Sequence, residues 1–185
     1  MTEIEICNRA LDHLGADSIS SLVEGTKAAN LCARNYPIAR DAVLRASPWN
    51  TAMRRAALPA LTTAPAWGFA YQYQVPADCL TVTRLEDEDA IFRVEGRQIL
   101  TDEGAPLNIL YIARITDTAQ FDPALCEAIA ARLASDIAYA VTGSATMTQT
   151  MLEVYERVLR EARGVDAQEG TPETFDTDEW LRSRY

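Results

Sequence analysis

The stretch from Asp122 to Gly164 limits the fold of this chain more than any other. Asp122-Pro123 places a side chain that caps free amides before a proline at the first helical position, where its missing N–H costs nothing. From there Leu125, Ile129, Leu133, Ile137 and Val141 recur every four residues, with Cys126, Ala130, Ala134 and Ala138 as a small-residue stripe beside them. The large side chains predict a core on one side of the helix, and the small ones predict the close approach of a neighbour on the other. Gly143 ends this helix, and a second one starts near Ser144 or Thr146. It carries Met147, Met151, Val154, Val158 and Ala162 on its inner face, Tyr155 and Leu159 alongside, and an expected stop at Gly164. Two antiparallel helices joined by so short a turn predict a bundle.

The N-terminal part supplies the partners for that hairpin. Thr2 and Glu5 form a capping box, after which Ile4, Cys7, Leu11 and Leu14 mark one helix face that ends at Gly15. Ser21 and Glu24 repeat the cap pattern, and Ala28, Leu31, Cys32, Asn35, Tyr36, Ala39, Val43 and Ala46 trace a longer stripe. Pro37 predicts a kink or a short break near Asn35-Tyr36, and Ser47-Pro48 ends the helix.

From Trp49 onward strand and turn signals replace helical periodicity. Ala70 to Val75 and Leu80 to Leu85 alternate as half-buried strands, and Pro59 to Ala66 reads as a loop. Ile91 to Val94 and Arg97 to Leu100 flank a tight turn at Glu95-Gly96, and Leu107 to Ile115 is apolar on both faces, as a central strand is. The expected class is therefore α+β. A bundle of about four helices, residues 1–49 and 118–164, carries a small antiparallel sheet inserted at 50–117 and an extended C-terminal arm at 165–185. That arm holds six acids against Arg182 and Arg184, yet also Phe175, Trp180, Leu181 and Tyr185. Such large apolar groups have no use in a solvated tail, so the arm is expected to dock on its own body or on a partner.

Charge and composition exclude several function classes. A formal net charge of −10, from 17 Lys and Arg against 27 Asp and Glu, opposes tight binding to nucleic-acid phosphates. No run approaches the length of a membrane span, and Met1-Thr2-Glu3-Ile4-Glu5 lacks the basic start and apolar core of a signal peptide, so a soluble protein made in a cytoplasm is expected. Cys7, Cys32, Cys79 and Cys126 stand far apart among apolar neighbours and read as buried free thiols. His13, the one histidine, reads as a surface or helix-end residue; Glu86-Asp87-Glu88-Asp89 reads as an exposed turn rather than a cation loop. Arg54-Arg55 is too short for a nucleic-acid patch but suits acids across a subunit contact, and Trp49, Trp67, Tyr71 and Tyr73 read as sheet and core aromatics. No arrangement supports catalysis, and no cofactor or metal is expected.

These residues, taken in order, resemble a known family. The likeness is carried by Ile4-Glu5-Ile6-Cys7-Asn8 with Leu11 and Leu14-Gly15; Tyr36-Pro37-Ile38-Ala39-Arg40-Asp41 leading to Leu44-Arg45 and Pro48-Trp49-Asn50; Tyr71 to Leu80; Glu95-Gly96-Arg97 with Ile99-Leu100; Phe121-Asp122-Pro123; and Trp180-Leu181-Arg182. As an ordered set, running from about Thr2 to Tyr185, they look like the tail tubular protein A and head-to-tail adaptor family of tailed bacteriophages. That resemblance implies a virion structural protein, a dodecameric homo-oligomeric ring that joins the portal protein to a downstream tail or nozzle protein, with genome DNA passing through its channel unbound. It also implies portal contacts from the arm, for which Phe175, Trp180, Leu181, Arg182 and Tyr185 are the candidates, satisfied in the ring by a neighbouring subunit. A stopper or tail-completion protein bound below the first adaptor is the nearest alternative. A neck-associated cell-wall hydrolase using Glu127 and Asp136 is the more distant one, because those carboxylates lie nine residues apart on one helix.

Overall fold

The computed structural model describes residues 1–168. Four helices, α1 (Glu3–His13), α2 (Lys27–Ala46), α3 (Pro123–Thr142) and α4 (Ala145–Gln168), enclose six strands in sequence: β1 (Met53–Leu58), β2 (Tyr71–Gln74), β3 (Cys79–Leu85), β4 (Phe92–Glu95), β5 (Gln98–Thr101) and β6 (Leu107–Ala113). The class is α+β, with the strands inserted between two pairs of helices.

α3 is the axis of the bundle and packs against α1, α2 and α4. Its Leu125, Ile129, Leu133 and Ile137 are fully buried, and so are Ala128, Ala130, Ala131, Ala134 and Ala138. Small residues on the remaining faces let three helices surround one without opening voids. The caps are those expected: the Asp122 carboxylate accepts from the amides of Ala124 at 2.7 Å and Leu125 at 2.9 Å, and Gly143 closes the helix at φ +70°. Thr2 and Glu5 close their capping box at 3.2 and 2.7 Å.

Three local expectations need correction. Thr26, not Ser21, caps α2, its hydroxyl accepting from Ala29 N–H at 3.2 Å. The Glu24 carboxylate turns back instead and accepts from Ser20 N–H, Ser20 Oγ and Thr26 Oγ1, which ties the preceding loop into a knot and holds that carboxyl below its ordinary range. Of the kink or short break expected at Pro37, the break does not occur, as α2 runs unbroken through it. Pro37 and Ala33 are both exposed, so water reaches the Ala33 carbonyl that the missing N–H leaves unpaired. Lastly, Gly164 does not stop α4, which continues to Gln168. Its last turn is anchored from outside: Asp166 accepts the Asn50 N–H at 3.1 Å, the Asp166 carbonyl accepts Asn50 Nδ2 at 2.7 Å, and Arg163 donates to the Ala46 carbonyl.

The insertion holds two three-stranded antiparallel sheets rather than one, ordered β1-β6-β3 and β2-β5-β4. β6 is central, as its two apolar faces predict. Pairing of β3 with β6 is interrupted by irregularities at Cys79/Thr81 and Val82/Arg84, and such bulges strengthen twist and bend a strand. The 59–70 connection then carries β2 onto the second layer. Between the layers Leu58, Tyr73, Leu85, Ile99, Leu107, Ile109 and Tyr111 form a second core, separate from that of the bundle. The β4–β5 turn lies one residue later than expected. Glu95 pairs with Gln98, and Gly96 and Arg97 take φ of +54° and +64°, the conformation of a two-residue hairpin loop. Arg97 tolerates that backbone because its guanidinium donates to the carbonyls of Pro76 at 2.7 Å and Ala77 at 3.3 Å.

Candidate functional site

The joint between bundle and insertion is built by charged and indole groups. On α2, Arg40 is nearly buried and Asp41 follows it; one Asp41 oxygen accepts from Arg40 Nη2 at 2.7 Å, the other from Arg114 Nε at 2.7 Å. Because Arg114 follows β6 directly, this carboxylate fastens the sheet to the helix. Trp49, fully buried, donates its indole N–H to the Val43 carbonyl at 2.8 Å and packs into the bundle core. Met53 and Ile112, opposite one another on β1 and β6, join the same core.

Beyond the bundle, no described helix packs on that face of the β1–β6–β3 sheet. Residues two apart on a strand share a face, so Arg55 and Ala57 continue the line of Met53, and Leu110 and Asn108 that of Ile112. Arg84 on β3 is paired opposite Leu110. Together with Glu86 they line a groove of about 350 Å³. Arg84 also pairs with Glu88, and Glu86 accepts from Asn108 Nδ2 at 2.6 Å. A second hollow, about 510 Å³, lies on the outer face of the other sheet, with Trp67, Phe69, Arg93 and Leu100 among its walls.

The residues singled out in the sequence are thus spread over the molecule. The proposed portal contacts, Phe175, Trp180, Leu181, Arg182 and Tyr185, lie outside the described residues. His13 ends α1, half-buried, with Nε2 4.0 Å from Glu127 Oε2. Glu127 is already held by Arg9 Nε at 2.8 Å, and Asp136 by Arg132 Nε at 3.0 Å, so each carboxylate of the hydrolase alternative sits in its own ion pair. Glu86 to Asp89 form an exposed turn. Arg54 is spent locally, donating to the carbonyls of Thr51 and Met53 at 2.8 and 2.9 Å and to Gln120 Oε1 at 3.3 Å. Trp49 and Tyr73 are core aromatics; Trp67 is not, standing 87% exposed, and Tyr71 is 42% exposed.

All four cysteines are free and buried. Cys7 and Cys32 meet between α1 and α2, where the contact with Cys32 and burial push the Cys7 thiol up and keep it protonated. Burial raises Cys79 and Cys126 in the same way. Cys7, Cys79 and Cys126 are thus held as thiols, whereas the contact with Cys7 lowers Cys32, its partner in the same pair. Among the described residues no group of three or more His, Cys, Asp and Glu is placed to hold a metal ion, and no helix is long and apolar enough to cross a membrane.

Sequence reasoning missed the Arg55–Arg84–Leu110 groove. Its members come from three strands whose pairing is set by register, which no local pattern states. Leu110, an apolar residue on the second face of β6, was the one visible sign of it.

A scan against protein-family models finds no match, and no curated protein matches the chain.

Proposed function

We propose that this chain is a structural head-to-tail adaptor of a tailed bacteriophage, not an enzyme, forming a ring that connects portal to tail and lets DNA pass. The observation that carries the reading is where the motifs of the resemblance sit. Asp41 is the clamp between α2 and β6, Trp49 the buried pin of the joint, Gly96-Arg97 the hairpin turn, and Asp122-Pro123 the start of the central helix. Motif residues that close caps, turns and joints describe a scaffold whose role is to keep its shape under load. A formal charge of −10 suits a channel wall that repels DNA, since like charge prevents the passing genome from sticking.

Portal contact falls to Phe175, Trp180, Leu181, Arg182 and Tyr185, because aromatic groups at the end of a segment supply docking energy once buried. The test compares retention of the full chain on immobilised portal and on downstream tail components, with a chain ending at Gly170 as control. Retention on portal that disappears on truncation supports the reading. Undiminished retention of the shortened chain removes the arm's role, and retention on the tail component alone supports a stopper instead.

A further inference from the structure

We infer that the outer edge of β4 pairs with β4 of a second copy of this chain, antiparallel and two-fold about Val94, joining two β2-β5-β4 sheets into one of six strands. The inference is independent of the adaptor reading: a two-fold contact closes after two copies, whereas a ring needs a heterologous one.

The edge follows from the hairpin. Among the described residues β4 pairs with β5 alone, whereas the opposite edge, β2, is met by Ala60. A two-residue loop closes on a pair that exchanges both backbone bonds, here Glu95 and Gln98, and such pairs alternate along an antiparallel ladder. Arg93 therefore bonds inward to Leu100, while the N–H and C=O of Phe92 and Val94 point away from β5. These groups have no backbone partner among the described residues. Val94 is 49% exposed, and Arg93 and Glu95 are exposed beside it, which gives another strand room to approach.

Charge names the occupant. Arg93 and Glu95 lie two apart and share the outer face of the sheet, yet neither forms an ion pair or a side-chain hydrogen bond among the described residues. Turning a second β4 about Val94 makes the two Val94 residues the pair that exchanges backbone bonds. It also sets Arg93 of each copy opposite Glu95 of the other, at the closer spacing of a non-hydrogen-bonded pair. A register two residues off keeps the backbone bonds in phase but opposes Arg93 to Arg93 or Glu95 to Glu95, so the charges select this register. The devices that keep an edge from such pairing, a proline, a lysine or a bulge, are absent from Phe92–Glu95. Trp67, largely exposed, lines the same face as Arg93 and Glu95 and adds apolar area beside the seam. Four residues a side make a small interface, so the association is weak and depends on concentration.

The test measures the mass of the full chain by sedimentation equilibrium from about 5 to about 500 µM, the range of a weak contact. The expected result is a monomer–dimer equilibrium, weakened at least about tenfold in Arg93→Glu and in Glu95→Arg, each of which sets like charges opposite one another. An equimolar mixture of the two variants should recover the wild-type association, because a strand with two acids then faces a strand with two arginines. Val94→Pro removes a donor that points away from β5 and should abolish the dimer while circular dichroism shows the fold intact. A chain that is monomeric at every concentration overturns the inference and leaves the edge to a different partner. Dimers that the single charge changes leave unaltered overturn it too, as does a mixture no better associated than its parts.

Discussion

The bundle encloses α3 with three helices and buries nearly all of its aliphatic and alanine side chains, whereas the two sheets share a smaller core and leave Trp67, Tyr71, Ile91 and Val94 exposed. In the bundle, the interior around α3 is close to saturated, while Ile38, Tyr139 and Leu152 stand exposed on its outer faces. In the insertion, six short strands have one inner space to fill, and their outer faces and edges stay available. The difference sets a deep core in the helices beside a shallower one in the sheets, with the Arg40–Asp41–Arg114 cluster linking the two.

The sharpest way to break this contrast is to cut one large side chain from each core. Leu133→Ala, in the fully enclosed helix, should cost about 4 kcal/mol, because the surrounding helices leave little room to collapse into the cavity. Ile99→Ala should cost about 3 kcal/mol, since a thin two-layer core relaxes more readily. Denaturant unfolding gives the totals, and amide exchange gives the location. Ile99→Ala should accelerate exchange in β2, β4 and β5 while α3 stays protected; equal acceleration in α3 would mean that the two cores are one cooperative unit.

Asp41→Ala probes the connection itself. It leaves the nearly buried Arg40 guanidinium without its carboxylate and should cost about 3 kcal/mol. Exchange should rise at the start of β3 and the end of β6 before it rises in α3. A smaller effect, about 1 kcal/mol of global stability, is expected from Asp122→Ala, which removes the cap of the central helix.

Tyr36→Phe should have the smallest effect and the opposite sign. The Tyr36 hydroxyl is buried in the bundle core without a hydrogen-bond partner, so removing it should leave stability unchanged or raise it by up to about 1 kcal/mol. Burial, then the nearby Glu3 charge, raise the folded-state phenol above its usual 10. A raised group contributes stability that is complete below its unfolded value and lost as pH climbs toward the folded one, so the protein should weaken above pH 10. Thermal melts at increasing pH should show that alkaline loss reduced in Tyr36→Phe.

The same contrast explains what could be read from the residues alone. Helical elements rest on local signals, so the α3 stripe, the Asp122-Pro123 start, the Gly143 stop and the Thr2–Glu5 box were all visible. Where a local signal misled, a distant group had intervened: Asn50 holds the end of α4 past Gly164, and Glu24 is drawn off by Ser20 and Thr26. Strands rest on non-local pairing. Five of the six were legible, and β6 as the central strand was too, but β1 at Met53–Leu58 was not expected, and the division into two layers and the groove beside Leu110 follow from register. Trp67 was misread because a large aromatic in a loop carries no mark of which way it faces.

The central claim is tested most directly by the mass of the protein in solution, measured by light scattering alone and after mixing with purified portal. The account predicts a portal complex that gains a closed ring of this chain and loses that gain when residues beyond Gly170 are removed. A portal whose mass is unchanged by saturating amounts of the full chain would contradict it.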